Sequence, residues 1–216
     1  MNRIQAVVLG SGALARMVGG ILRVDAGVEL VGFTDANPAR HGQTLCERPI
    51  LGADDMLPEL RRRGVSHAVI AAGEPRLRRR LAALLRELNF ELANAIHPHA
   101  FVAPEAQLGR GVIVLPGAVL ADNPAIGDNT FVGQSATIAH DSVIGRDCLI
   151  GGRSAIGGEV RIGEAALIGW GAIVGPRHGV GSGAVIAAGA NVMSDVPENA
   201  VAAGNPARVV QLREAS

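Results

Sequence analysis

From Ile96 onward an aliphatic residue recurs at every sixth position: Ile96, Val102, Leu108, Val114, Leu120, Ile126, Val132, Ile138, Ile144, Ile150, Ile156, Ile162, Ile168, Val174, Val180, Ile186 and Val192. Seventeen matches stand in one register, and glycine follows the aliphatic residue in ten of them. Four positions after the aliphatic residue a small side chain dominates, as at Ala106, Thr130, Ala136, Ser142, Cys148, Ser154, Ala166 and Ala184. A helix repeats near 3.6 residues and a strand at two, so neither alone produces this period. A short strand followed by a corner does. The aliphatic side chain points inward, the glycine sits at a corner where a missing Cβ helps, and the small residue faces inward where space is tight. Three such faces close a coil of eighteen residues. Coils of this kind stack about 4.8 Å apart, each burying its inner face only against its neighbours. The pattern predicts a parallel β-helix over residues 96–197, followed by a C-terminal tail, 198–216.

Residues 1–95 carry a different pattern. Residues 4–9 (IQAVVL) read as a buried strand, Gly10-Ser11-Gly12-Ala13-Leu14-Ala15 as a glycine turn, and the stretch to about Val24 as a helix. Glu29–Phe33 reads as a second strand ending in Thr34-Asp35. This strand, turn, helix, strand order with an acid after the second strand is that of a small Rossmann-like α/β domain, in which the acid holds a ribose or base. A helix over 54–63, a strand over 66–71, a turn at Gly73-Glu74-Pro75-Arg76, a helix over 77–88 and a strand over 91–95 complete the domain. It is too short for a full dinucleotide fold, so a mononucleotide or nucleotide-sugar fits better than NAD. Leu77, Leu81, Leu84 and Leu88 form an apolar stripe, leaving Arg78, Arg79 and Arg80 as a solvated helix face and Arg76, in the turn, as the candidate phosphate contact.

Composition narrows the chemistry. Twenty basic residues balance twenty acidic ones, so nothing here attracts nucleic acid or an anionic membrane surface. There is no Tyr and a single Trp, so the core must be built from Val, Ile, Leu and Ala. The two cysteines, Cys46 and Cys148, make no disulfide framework. No apolar run reaches the length of a membrane span, and no signal-peptide pattern opens the chain. A cytoplasmic location is the expectation.

Among six histidines, His140 stands out, third in its hexad on a coil face near the middle of the repeat and followed at once by Asp141. Acyl transfer needs a base to take a proton from an attacking amine or hydroxyl, and neutral imidazole serves near pH 7. Asp141 would orient the ring. Asp122, one coil earlier, is a second candidate orienter. His178 falls on an inward, normally small position and predicts a locally widened coil. His97 and His99 mark the start of the repeat and read as structural. A three-histidine metal site needs histidines converging from adjacent coils. The positions eighteen residues from His140 are Asp122 and Gly158, so no metal is expected.

The motifs VVLGSGALARMV, VGFTDANP, AVIAAGEPRLRRRL, AIHPHAFVAPEAQLGRGV, IAHDSVIG and DVPENAVAAGNPARVV together resemble the hexapeptide-repeat sugar O-/N-acyltransferases of the sialic-acid O-acetyltransferase type. That group includes N-acetyltransferases of UDP- or GDP-linked 4-amino sugars. The resemblance spans residues 4 to about 210. It implies a left-handed β-helix, a homotrimer, and acetyl-CoA as co-substrate with a nucleotide sugar. It places the general base at His140, tuned by Asp141. It places the nucleotide sugar at Gly12, Ala13, Leu14, Asp35, Ala36, Gly73 and Arg76. It places acetyl-CoA at Leu149, Gly158, Trp170, Ala188, Pro206 and Arg208. Three positions depart from the usual family pattern: Leu14 and Leu149 stand where many members have His, and Ala36 where many have Asp. Leu149 leaves the developing oxyanion to be held by a backbone N–H or another donor. O-acetylation of a sialic-acid-like sugar and a non-catalytic sugar-nucleotide-binding scaffold are the alternatives to N-acetyl transfer.

Overall fold

The structure is a computed structural model describing residues 3–213. The chain divides into two compact units, 1–95 and 96–216. The first contains β1 (Ile4–Leu9), α1 (Ala13–Val24), β2 (Val28–Thr34), β3 (Thr44–Leu45), β4 (Arg48–Gly52), α2 (Leu57–Arg62), β5 (His67–Ile70), α3 (Pro75–Glu87) and β6 (Glu91–Leu92). They form a sheet of order β3-β4-β2-β1-β5-β6. Its pairings are parallel except for the antiparallel β3–β4 hairpin. Ala6 to Leu9 of β1 are buried, as expected of a central parallel strand covered on both faces. Gly10 takes a left-handed φ of 106°, which lets the chain leave β1 and enter α1. The inner face of α1 is Ala15, Val18, Gly19, Ile21 and Leu22. A side chain at Gly19 would strike Phe33 and Cys46.

Several local expectations shift. The helix expected from residue 54 opens as a 3₁₀ turn, Asp54–Met56, and becomes α-helical only at Leu57. The helix expected from residue 77 begins at Pro75, whose fixed φ suits a first turn. The β3–β4 hairpin has no sequence signal, because its turn places Cys46 and Glu47 at φ 48° and 61° without the Asn or Gly that usually announces such a turn. The arginine run is not a solvated face throughout. Arg78 is fully buried, and its Nη1 donates to the carbonyls of Ile70 (2.7 Å) and Ala72 (3.1 Å) at the end of β5. It shares the buried face of α3 with Leu81 and Leu85.

The second unit is the predicted β-helix. One face stacks the strand pairs ending at Ile96, Val114, Val132, Ile150, Ile168 and Ile186. The second stacks those ending at Val102, Leu120, Ile138, Ile156, Val174 and Val192, and the third those ending at Leu108, Ile126, Ile144, Ile162 and Val180. Partners are eighteen residues apart and parallel, as in Phe131↔Leu149, Thr137↔Ala155 and Val143↔Arg161. The aliphatic series and the small residues of the repeat form one continuous core. Where an inward residue is polar, its hydroxyl bonds to backbone: Thr130 donates to Gly145 O (2.8 Å), Ser142 to Gly157 O (2.8 Å) and Ser154 to Gly151 O (2.7 Å). Residues 200–212, expected as a tail, form an antiparallel hairpin whose first strand pairs with Val185–Ile186.

The corner glycines are explained by proximity. A Cβ at Gly127, Gly133 or Gly145 would lie 2.5–2.7 Å from the backbone nitrogen of the next coil. The left-handed φ falls two residues later, at Asn123, Asn129, Ser135, Asp141, Asp147, Arg153 and Glu159. His178 does not widen a coil. It is about 29% exposed, with Nδ1 3.5 Å from Oδ1 of Asp195. The last coil is two residues shorter, so that Val180 pairs with Val196.

Candidate active site

The first cluster lies at the carboxyl ends of β1 and β2, where ligand crevices form in open α/β sheets. Ser11, Gly12, Ala13, Arg16 and Arg40 line a cavity of about 520 Å³. No side chain caps α1 and no acid lies in its first turn. A Cβ at Gly12 would meet nothing in the protein. Asp35 organises this mouth. Its Oδ2 accepts from the Ser11 hydroxyl and from the Ser11 N–H (3.1 Å), and its Oδ1 from the Asn37 N–H (2.8 Å). Arg40 Nη1 lies 3.6 Å from Oδ2 and donates to Ser11 O (3.0 Å) and Oγ (2.9 Å). Burial opposes ionisation of Asp35, yet the bonds from Ser11 and Asn37 and the Arg40 charge outweigh it and hold the carboxyl below its usual range. Arg40 is therefore a site-lining cation that the sequence reading missed; only its place in the loop after β2 could have flagged it.

Leu14 is half-buried and lies outside the cavity lining; Ala36 is exposed in the loop. Gly73 and Arg76 are exposed at a separate turn. There the Glu74 carboxylate already accepts from the N–H groups of Arg76 (2.8 Å) and Leu77 (2.7 Å). It occupies the donors an anionic ligand would use.

The second cluster is on the β-helix. His140 and Asp141 follow the strand Thr137–Ile138, with Nδ1 of the ring 3.0 Å from Oδ2 of the carboxylate. Their side chains are 57% and 54% exposed. The ring lies over Gly158, one coil on, where any side chain would collide with Nε2. Asp122 meets Asp141 through backbone, its carbonyl accepting from the Asp141 N–H (3.1 Å). The side chain that reaches Asp141 is its neighbour Asn123, whose Nδ2 donates to Oδ1 at 2.9 Å. Asn123, then His140, in that order, hold the Asp141 carboxyl below its usual range. Sequence spacing found the right coil but chose the wrong side chain.

The residues assigned to acetyl-CoA divide between corners. Gly158 lies under His140. Leu149, Trp170, Ala188, Pro206 and Arg208 lie on the first face or the corner that follows it. Trp170 is exposed, with its ring over Gly152, whereas Leu149 is buried. Within one chain Trp170 and His140 thus occupy different corners. Among the described residues no three His, Cys, Asp or Glu side chains converge as a metal site, and no helix is long and apolar enough to cross a membrane.

The bacterial transferase hexapeptide family (six repeats) matches residues 123–158. No curated protein matches the chain. Among solved structures, a histidine-to-alanine mutant of GDP-perosamine N-acetyltransferase from Caulobacter crescentus, in complex with CoA and GDP-perosamine, is 35% identical. The match covers 96% of this chain and 97% of that one, with a TM-score of 0.91. The acetyltransferase domain of PglB from Neisseria gonorrhoeae, in complex with acetyl coenzyme A, is 30% identical over 97% of this chain and 100% of that one, with a TM-score of 0.90. The parallel coils and the small α/β unit accordingly fit a left-handed β-helix with an N-terminal α/β part. With this identity sustained over nearly the whole length of both chains, the protein belongs to the hexapeptide-repeat nucleotide-sugar N-acetyltransferases.

Proposed function

We propose that this enzyme transfers acetyl from acetyl-CoA to the amine of a nucleotide-linked 4-amino sugar, with His140 as general base. The observation that carries the reading is the His140–Asp141 pair, Nδ1 on the carboxylate and Nε2 open above a glycine, in a chain akin to a GDP-perosamine N-acetyltransferase along its length. The amine nitrogen attacks the thioester carbonyl, forming C–N and breaking C–S. Nε2 takes the proton the amine sheds, Asp141 stabilises the resulting imidazolium, and that proton passes to the sulfur as C–S breaks, so that CoA leaves as the thiol and His140 returns to its neutral form.

The N-terminal unit serves as a Rossmann-like nucleotide-sugar site at Gly12, Ala13 and the Asp35–Ala36 loop. Arg16 and Arg40 there offer positive charge to a diphosphate, while Glu74 makes the Gly73–Arg76 turn a poorer anion site. Acetyl-CoA runs past Gly158, Leu149, Trp170, Ala188, Pro206 and Arg208. Because Trp170 and His140 sit on different corners of one chain, joint contact with one CoA calls for two copies, which supports a homo-oligomer such as the homotrimer the resemblance implies.

His140→Ala should retain acetyl-CoA binding and lower kcat by about 10²–10⁴-fold, the span of general-base catalysis, in a thiol-release assay with GDP- and UDP-4-amino sugars. Wild-type turnover in that variant would remove the base assignment. A deficit that shrinks as pH rises marks an amine acceptor, since the free amine then needs no help. A deficit constant with pH marks a hydroxyl.

A further inference from the structure

The carboxylate of Asp141 has a partner on each oxygen: His140 Nδ1 at Oδ2 (3.0 Å) and Asn123 Nδ2 at Oδ1 (2.9 Å). An ionised carboxylate only accepts, so Asn123 must present its NH₂. A neutral His140 must likewise carry its proton on Nδ1 to bond Asp141. The lone pair then belongs to Nε2, the atom above Gly158. Both Asn123 and Asp141 are corner residues in the left-handed region, at φ 57° and 55°, a conformation that Asn and Asp tolerate best among residues with side chains.

We propose that Asn123 is a positioning residue for acetyl transfer: by clamping Oδ1 of Asp141 it holds Oδ2 on Nδ1 of His140, and so fixes the tautomer in which Nε2 accepts the proton. This rests on His140 being the base.

Exposure is the reason a clamp matters. An ion pair more than half open to water is too weak to hold one carboxylate rotamer by itself. A second hydrogen bond on the opposite oxygen removes that rotation. The β-helix also supplies an internal comparison. Asn129 Nδ2 donates to Asp147 Oδ1 at 2.7 Å, again one coil apart on left-handed corner residues. There the residue before the Asp is Arg146, paired with Glu164. The Asn-over-Asp pair is therefore a way of stitching coils, and at Asn123 the same stitch has a histidine attached. The other ionisable groups around Asp141 are Asp122 on the coil before and Glu159 on the coil after, the latter 4.0 Å from Arg177. Arg161, His178 and Asp195 line, with Asp141, the groove of about 570 Å³ beside it.

The test is ¹⁵N NMR of the His140 ring in the full-length protein, with steady-state kinetics. Asn123→Ala should move His140 toward the Nε2–H tautomer and lower kcat about tenfold, less than the roughly 10²–10⁴-fold that a general base supplies because the base itself remains, with both KM values within about twofold. In an Asp141→Asn background the same substitution should change kcat less than about twofold, because residues acting as a unit are not additive. Asn123→Asp keeps the corner's shape and its tolerance for left-handed φ but lacks the donor, so it should show the same tautomer change if the alanine variant folds poorly. Asn129→Ala, the matched stitch, should leave the His140 tautomer unchanged. A wild-type tautomer in both Asn123 variants, or an equal kcat loss with and without Asp141, overturns the proposal. If instead His140→Ala turns over normally while Asn123→Ala still alters the tautomer, the base assignment has failed and the clamp has not.

Discussion

At Asp35 one carboxylate ties together the glycine turn and the loop after β2. Its acceptor sites are largely taken by Ser11, Asn37 and Arg40, so it shapes the nucleotide mouth from behind. Its ionisation favours the folded state, since the same contacts hold its folded pKa below the ordinary carboxylate value. That contribution is fully present above the unfolded value and is lost as pH falls through the folded one. Asp35→Asn should therefore lower Tm at pH 7, and the gap to wild type should narrow as pH drops below about 4. A gap independent of pH would mean the hydrogen bonds, not the charge, carry the effect. If the mouth binds the nucleotide, Asp35→Ala should also raise KM for the sugar nucleotide much more than KM for acetyl-CoA. Cys148 differs in kind: buried in the prism, its thiol is pushed up to about 12, chiefly by burial. It is a core residue and not a nucleophile at neutral pH.

At the scale of elements, the corner of the β-helix and the end of β5 are held by different physics. Gly145 is needed because the backbone of the next coil would lie 2.7 Å from any Cβ there, and backbone cannot rotate aside. Gly145→Ala should cost about 1–3 kcal/mol through overpacking, measured by urea unfolding. Gly189 has open space around its Cβ position and φ 69°. Alanine there should cost only the strain of a left-handed residue, about 1 kcal/mol. Arg78→Met should lose at least a comparable ~1–3 kcal/mol, since it leaves the buried carbonyls of Ile70 and Ala72 without the guanidinium donor. A melting temperature unchanged in that variant would show that water or a neighbour replaces the guanidinium.

At the scale of the whole molecule, the second unit presents an outward strand column of Phe101, Val119, Thr137, Ala155 and Ile173, with Phe101 and Ile173 exposed. Light scattering at micromolar concentration should give three times the chain mass of 22.1 kDa. A monomer that retains full activity would remove the case for a CoA site shared between copies.

The β-helix was legible from the sequence because a period of six over seventeen hexads admits one geometry: each aliphatic residue must return to the same wall. The α/β order was legible for the same reason, a buried strand running into a glycine turn and an amphipathic helix. The His140–Asp141 pair followed from chemistry set against the repeat. Contacts between residues distant in sequence were not legible. Arg78 reads as surface by composition and is buried because two carbonyls at the end of β5 need a donor. By register Asp122 stands one coil before His140 and Asn123 one coil before Asp141, and only the corner geometry shows that the Asn123 side chain is the one that turns toward Asp141. Arg40 enters the mouth through Ser11, twenty-nine residues away. The Nδ1 of His178 reaches Asp195, seventeen residues on, a contact that the local pattern does not announce. Periodicity determines which wall a residue belongs to, whereas the direction of a polar side chain depends on donors and acceptors that only the folded chain brings within reach.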